Sequence, residues 1–393
     1  MACSTALPQN KLIERARELA PRWRERSERA EKLRRAPDES IAELVDAMFP
    51  RITQPARFGG LELGLDSICA VSMELAKGCA SQAWVSNVFS EHAGTVALFS
   101  DEAQHEVWDA NPKALVSSSY SPSGKVSKVA GGIRVTGRYH FSSGVHHAHW
   151  TFIGGMLARD GAPPLPILAL IPAHERRIID NWHAVGMAGT GSCDIEFDNV
   201  FVPEHRVLDE SLVFEGKTPG SLVNKAPVYR MPQRGIAQLA LASVPVGAAE
   251  GAVEDFAQTM QSKIVRGQRM AESEALQLRL AESAAEVESA RRLILGTARQ
   301  VMDKLSTGAY TDSADMAHAS RNAAYGAKLA QQAVSRLFEA AGGGGILLDN
   351  QLQRTFRDIH AAGGHIGLAW DRNAVMYSRE RVGLGIKGFF PGR

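Results

Sequence analysis

The sequence predicts an α+β protein, mainly helical, with a small β unit set between two helical parts. Three observations predict it. Apolar residues recur at helical period from about residue 10, period-two alternation takes over near Ala114, and helical period returns after Met231. The divisions fall at 1–112 (helical), 113–210 (a β-barrel or sandwich) and 211–393 (a four-helix bundle).

A chain of 393 residues can bury several substantial cores. Apolar residues make up 45%, charged residues 22%, and the net charge is +1. No strongly basic face is implied, which argues against nucleic acid as the main partner. Cys3, Cys69, Cys79 and Cys193 show no CxxC or zinc spacing. No signal pattern opens the chain, and no run approaches the roughly 18 apolar residues of a membrane span. The expectation is a soluble, cytoplasmic protein.

In order, Lys11–Arg35 is a mixed-charge helical stretch that Pro21 is expected to break; it is either a basic docking arm or a solvated helix pair. Pro37-Asp38-Glu39-Ser40 starts the next helix with acidic residues against its dipole. Pro55-Ala-Arg-Phe-Gly-Gly60 is a turn, and Asp66–Ala80 and Ser81–Leu98 read as two apolar helices. Trp84 and His92 lie eight residues apart on roughly one face of the second. Strands are predicted at Ser117–Tyr120, Lys125–Val129, Ile133–Phe141, Trp150–Met156, Leu165–Ile171 and Ile195–Val202, with a hairpin at Gly131-Gly132. A linker over 208–231 leads to helices at Arg234–Met260, Ser273–Ser306, Ser313–Ala341 and Gln351–Tyr377, the last interrupted at Gly363-Gly364.

The stretch ending at Trp150 carries the chemistry. Alternation stops at Ser142-Ser143-Gly144, where two hydroxyls meet a glycine that permits close approach to the backbone. Such a strand end suits the edge of a flat, polar, conjugated ligand, flavin first among them. His146, His147 and His149 follow, but neighbouring strand residues point to opposite faces, so no metal site is expected. Glycines 186, 189 and 191 mimic a dinucleotide fingerprint, yet no helix follows them.

These parts, in this order, resemble the acyl-CoA dehydrogenase fold. The likeness rests on Pro55-x-x-Phe-Gly-Gly60, Phe197-Asp-Asn-Val-Phe-Val-Pro203, Arg266 with Gln277, and Gly342-Gly343 followed by Arg357-Asp358. Where a dehydrogenase of that fold keeps its carboxylate base, this chain has Gly363-Gly364-His365 and, on the first bundle helix, Ala237. Cys79-Ala-Ser-Gln-Ala-Trp84, Phe141-Ser-Ser-Gly144, Gly186-Met-x-Gly-Thr-Gly-Ser192 and Arg357-Asp-Ile-His-Ala-Ala362 with His365 are similar to the oxygenase components of two-component, reduced-flavin-dependent monooxygenases, such as hydroxyphenylacetate and secosteroid phenol hydroxylases.

The resemblance implies an enzyme of the monooxygenase class. It takes reduced FMN (FMNH2, with FADH2 as the alternative) from a separate NAD(P)H-flavin reductase, and with O2 hydroxylates a small aromatic substrate through a C4a-hydroperoxyflavin. The catalytic residues would be Ser143, accepting a hydrogen bond from flavin N5–H, His365 as acid or base, and His92 in the substrate pocket. The cofactor set would be Ser143, Trp84, Tyr120, Ser192, Arg234, Arg266, Gly343 and Gly344, with Trp182 on the flavin wall. Arg230 and Arg234 compete for one cationic role, and glycines 342–345 either admit phosphate or cap a helix. A homotetramer built through the bundle is expected. The competing readings are an acyl-CoA dehydrogenase-like flavoprotein with its base elsewhere, an N- or S-oxygenating member of the same family, and a catalytically silent flavin-binding protein.

Overall fold

The computed structural model describes residues 9–265 and 267–390, with the backbone alone at Gln233 and Arg234. Six helices come first: α1 (Gln9–Glu25), α2 (Ser27–Leu33), α3 (Asp38–Asp46), α4 (Leu65–Ala76), α5 (Ala80–Val96) and α6 (Asp101–Trp108). The break expected at Pro21 does not occur, and α1 runs through it. The lost backbone donor is outweighed by packing: Leu12, Ala16, Leu19, Ala20 and Trp23 are buried along α1, and Trp23 Nε1 donates to Glu43 Oε2 at 3.0 Å. The turn at 55–60 forms as expected. A Cβ on Gly60 would lie 1.9 Å from Gln54 O, so only glycine fits there. At the α4–α5 junction, a Cβ on Gly78 would lie 2.0 Å from Ala20 O.

The β unit is a sandwich of two four-stranded sheets rather than a closed barrel. One sheet has the order β1-β4-β5-β8 and the other β2-β3-β7-β6. The strands are β1 (Val116–Ser119), β2 (Lys125–Val129), β3 (Gly132–Ser142), β4 (Trp150–Arg159), β5 (Ala162–Pro172), β6 (Arg177–Ile179), β7 (Cys193–Pro203) and β8 (Val207–Asp209). β6 and β8 are additional to the expected set. Val135, Tyr139, Ile195 and Phe197 of one sheet meet Ile153, Ile167 and Ala169 of the other in a shared core. β1 pairs in parallel with β4, from Val116 opposite Trp150 to Ser119 opposite Ile153, while the other neighbours run antiparallel.

The segment read as a linker holds two short helices, α7 (Glu210–Glu215) and α8 (Pro219–Val223). It is tied down: Asn224 Nδ2 donates to Ala97 O at 2.8 Å, and the Tyr229 hydroxyl to Thr53 O at 3.0 Å. A single turn, α9 (Gln233–Ile236), precedes the bundle helix α10 (Gln238–Ser262). A small hairpin, β9 (Ile264–Val265) and β10 (Gln268–Arg269), leads to α11 (Glu274–Ser306) and α12 (Ser313–Ala340). Two shorter helices follow, α13 (Gln351–Gly363) and α14 (Trp370–Arg381). The helices before and after the sandwich share one apolar core, in which Leu65, Met73 and Ala83 pack with Ala240, Val244, Ile294 and Ala330. Among the described residues, no helix is long and apolar enough to cross a membrane.

Candidate active site

β3 ends in a kinked turn. The β3–β7 register shifts between Tyr139 and Ser142, and Phe141 adopts φ 61°, a conformation a phenylalanine rarely takes. Buried Asp194 of β7 holds this turn by accepting from Arg138 Nε at 2.7 Å, His140 Nδ1 at 2.8 Å and Phe141 N at 3.4 Å. Those bonds keep the Asp194 carboxyl below its usual range against the desolvation that opposes them. Gly144, at φ 70°, lets the strand end rest on α5; a Cβ there would lie 2.7 Å from Phe89 Cζ. The glycine of Ser-Ser-Gly is therefore needed for helix contact, and it delivers Ser143 to the flank of α5.

The glycine-rich stretch 186–192 is bolted to α13. Met187 N donates to Asp358 Oδ1 at 2.6 Å and Arg357 Nη1 to Val185 O at 2.7 Å. A Cβ on Gly186 would lie 2.2 Å from Arg357 O. Burial raises the Asp358 carboxyl to about 6 despite the bond from Met187. This loop feeds a row of hydroxyls whose direction is fixed. Thr190 Oγ1 lies 2.8 Å from Met187 O, a carbonyl that cannot donate, so the Thr190 proton goes there. At the 2.6 Å contact Ser192 must then donate to Thr190, and at the 2.7 Å contact Ser143 must donate to Ser192. Ser143 Oγ also accepts from Trp84 Nε1 at 3.3 Å. What Ser143 has left is one lone pair, and it is an acceptor only.

His365 stands just beyond the end of α13, its ring centroid 5.7 Å from that of Trp84. The structure thus brings Ser143 and His365 to the same indole. Gly367 N donates to His365 Nδ1 at 3.1 Å, which leaves the proton on Nε2. His365 is exposed, yet protein encloses part of its ring. That enclosure depresses its pKa to about 4, so it is a neutral N–H donor at pH 7.

His92 turns to the sandwich instead. Its Nδ1 donates to Val116 O at 2.7 Å and its Nε2 accepts from Ser118 Oγ at 3.0 Å, and burial lowers its pKa to about 4. Its ring packs edge-on to Phe152 at 4.7 Å and Tyr120 at 6.3 Å. Tyr120 therefore stands with His92, and Ser192 with Ser143. Trp182 lies beside the loop, its Nε1 donating to Met187 O at 3.1 Å, with the exposed Phe141 ring 6.2 Å away.

Other expected residues lie elsewhere. Arg230 donates to Leu305 O in the last turn of α11. The side chain of Arg234, and Arg266 altogether, fall outside the described residues. Gly343 and Gly344 are exposed in a turn before α13, at the end of that helix opposite His365. Over thirteen helical residues that is roughly 20 Å away. The three histidines after Gly144 diverge, His146 to Cys193 Sγ (3.4 Å), His147 to Ala36 O (3.0 Å) and His149 to Leu115 N (3.0 Å). Sequence reasoning did not single out Thr190, which lies within the glycine-rich stretch, or Asp194, just after it, nor Glu91, which precedes His92.

Helical halves around a sandwich, with Ser143, Trp84 and His365 brought together where β3, α5 and α13 meet, define the acyl-CoA dehydrogenase fold. Family models for the acyl-CoA dehydrogenase N-terminal and C-terminal domains match residues 9–110 and 239–370. The chain is 34% identical over 393 residues to the FADH(2)-dependent resorcinol hydroxylase, oxygenase component, of a Rhizobium species, covering 97% of this chain and 96% of that one. It is 32% identical over 376 residues to the p-hydroxyphenylacetate 3-hydroxylase oxygenase component of Acinetobacter baumannii, covering 95% and 89%. The crystal structure of the HsaA monooxygenase from Mycobacterium tuberculosis superposes with a TM-score of 0.92 at 32% identity, covering 97% of this chain and all of that one. The chain belongs to the oxygenase components of flavin-dependent monooxygenases.

Proposed function

We propose that this chain hydroxylates a small phenolic or indole-type aromatic compound with O2, using reduced FMN (or FADH2) delivered by a separate NAD(P)H-flavin reductase. The observation that carries this reading is the direction of the hydroxyl row. Reduced flavin presents an N–H at N5 where oxidised flavin presents a lone pair, and Ser143 can only accept. The acceptor on Ser143 therefore favours the reduced ring. When bound, that ring supplies the electrons that activate O2.

The chain's own residues have separable tasks. Ser143 holds the N5 proton in place, and Trp84 and Ser192 fix the Ser143 rotamer. His365, neutral with its proton on Nε2, would donate a hydrogen bond to a reacting oxygen, a role its tautomer favours over that of a base. The Ser118–His92 pair and Tyr120 make a polar wall for the substrate. Arg234, Arg266, Gly343 and Gly344 are assigned to the phosphate-bearing end of the flavin, partly across a homotetramer. Exposed Ile264, Val265, Ile346, Leu347 and Leu348 near that end support such an assembly. The compartment is assigned as the cytoplasm.

The test is to supply reduced FMN from a generic reductase in air, with a panel of phenols, indoles, thioethers and hydroxylamines. The product and hydrogen peroxide are then both quantified. Ring-hydroxylated product is expected; peroxide equal to the reductant consumed, with every compound, refutes the proposal, and oxidation at S or N alone moves it to heteroatoms. A dehydrogenase has less support, since buried Ala237 and neutral His365 stand at its base positions.

A further inference from the structure

Glu91 shares a face of α5 with Trp84. Seven residues separate them, which turns the helix by only about 20° and advances it by roughly 10 Å. Asn87, one turn earlier, donates from Nδ2 to Ser72 Oγ of α4 at 3.0 Å and to Ala240 O of α10 at 2.7 Å. Thr95, one turn later, reaches the Tyr120 hydroxyl at 3.5 Å. Glu91 thus lies where α4, α5 and the start of α10 meet, close enough to Cys69 of α4 for its charge to be felt there.

Trp84, Asn87, Val88 and Thr95 are buried, whereas Glu91 is only partly so, and its carboxyl has no partner among the described residues. Enclosure without a cation raises it to about 8. At neutral pH it is therefore an uncharged acid that both donates and accepts. Gln238, at the first turn of α10, adds a second polar group. Its Oε1 is buried with no partner among the described residues, and it adjoins Gly367 and His365: a Cβ on Gly367 would lie 3.0 Å from Gln238 Cγ and 3.1 Å from His365 Nδ1.

We propose that Glu91 is a specificity-determining residue that receives a hydroxyl group on the substrate, at the end remote from the ring carbon presented to Trp84, Ser143 and His365. The inference rests on the monooxygenase reading and names its substrate class: phenols carrying a second, uncharged hydroxyl. The roughly 10 Å between Trp84 and Glu91 suits a phenol with a two-carbon arm.

Calorimetric titration of the full-length protein with four phenols that differ only in the para arm tests this. The arms are hydroxyethyl, aminoethyl, carboxymethyl and ethyl. The hydroxyethyl compound should bind about tenfold more tightly than the ethyl one, and more tightly than either charged one. Glu91→Leu should abolish that preference, and Glu91→Gln, which keeps a donor and an acceptor, should retain it. Equal binding of the hydroxyethyl and ethyl arms, tighter binding of a charged arm, no binding at all, or a preference surviving Glu91→Leu would overturn the proposal. So would a lower thermal midpoint for Glu91→Leu, because removing a desolvated, unpartnered carboxyl should raise it. Ranking and hydroxylation are read separately, so a chain that ranks the phenols this way but yields no hydroxylated product fails the monooxygenase reading alone.

Discussion

Replacing Ser192 by alanine should change which redox state of the flavin the protein prefers. Ser143 donates to Ser192 because Ser192 has already given its proton to Thr190, and Thr190 its own to Met187 O. The remaining acceptor on Ser143 gains one hydrogen bond from a reduced ring, a net benefit of about 1 kcal/mol. Facing an oxidised ring it meets another lone pair, and the unsatisfied group costs about 1–3 kcal/mol. The difference, about 2–4 kcal/mol, corresponds to a roughly thirty- to several-hundred-fold tighter Kd for reduced FMN. In Ser192→Ala the Ser143 proton is released and can turn toward an oxidised N5, so the preference should shrink by at least about tenfold. Anaerobic equilibrium titrations with reduced FMN, set beside titrations with oxidised FMN, read both constants. A Kd ratio that stays within twofold of the parent protein would refute the directional argument.

Four further outcomes follow from the same geometry. His365→Ala should lower hydroxylation by roughly 10²-fold while reduced FMN binding changes only severalfold. Because His365 titrates near 4, product yield in the parent protein should carry no histidine step between pH 5.5 and 8. His92, held neutral at about 4 against an ordinary value of 6.5, opposes folding once its unfolded form protonates. Its contribution is intact above pH 6.5 and is lost as the pH falls toward 4, amounting to about 2 kcal/mol at pH 5. Denaturant melts of His92→Gln should accordingly show a shallower loss of stability between pH 7 and 5; an identical slope would remove the assignment. Gly186→Ala places a Cβ 2.2 Å from Arg357 O, which should cost about 1–3 kcal/mol and loosen the hydroxyl row, seen as more peroxide per turnover.

Much of this was legible in the sequence because it depends on local rules. Period-two alternation through Tyr139 placed β3, small residues at Cys79-Ala80-Ser81 placed the start of α5, and Ser273 and Ser313 marked helix starts. Other features depend on what the chain meets in space. Pro21 is a breaker by local energetics, and only the burial of Trp23 and its neighbours keeps α1 whole. The parallel pairing of β1 with β4 has no short-range signature, because His149 and Trp150 both bond back to Leu115 from far along the chain. Ser143 and His365 were readable as candidates from a motif likeness. The acceptor-only character of Ser143 was not, because it is set by Thr190 and Met187 on another segment.

The shared core also bears on how the polypeptide assembles. Met73 O lies against the position of Gly247, and Lys77 O against Gly251, so α4 finds its long partner only after the whole sandwich has been synthesised. Loop closure over such a separation is slow, and the apolar flank of α4 stays uncovered meanwhile. During translation the first hundred residues would therefore be held open, awaiting a helix that leaves the ribosome well over a hundred residues later, and a chaperone that masks α4 should raise the folded yield.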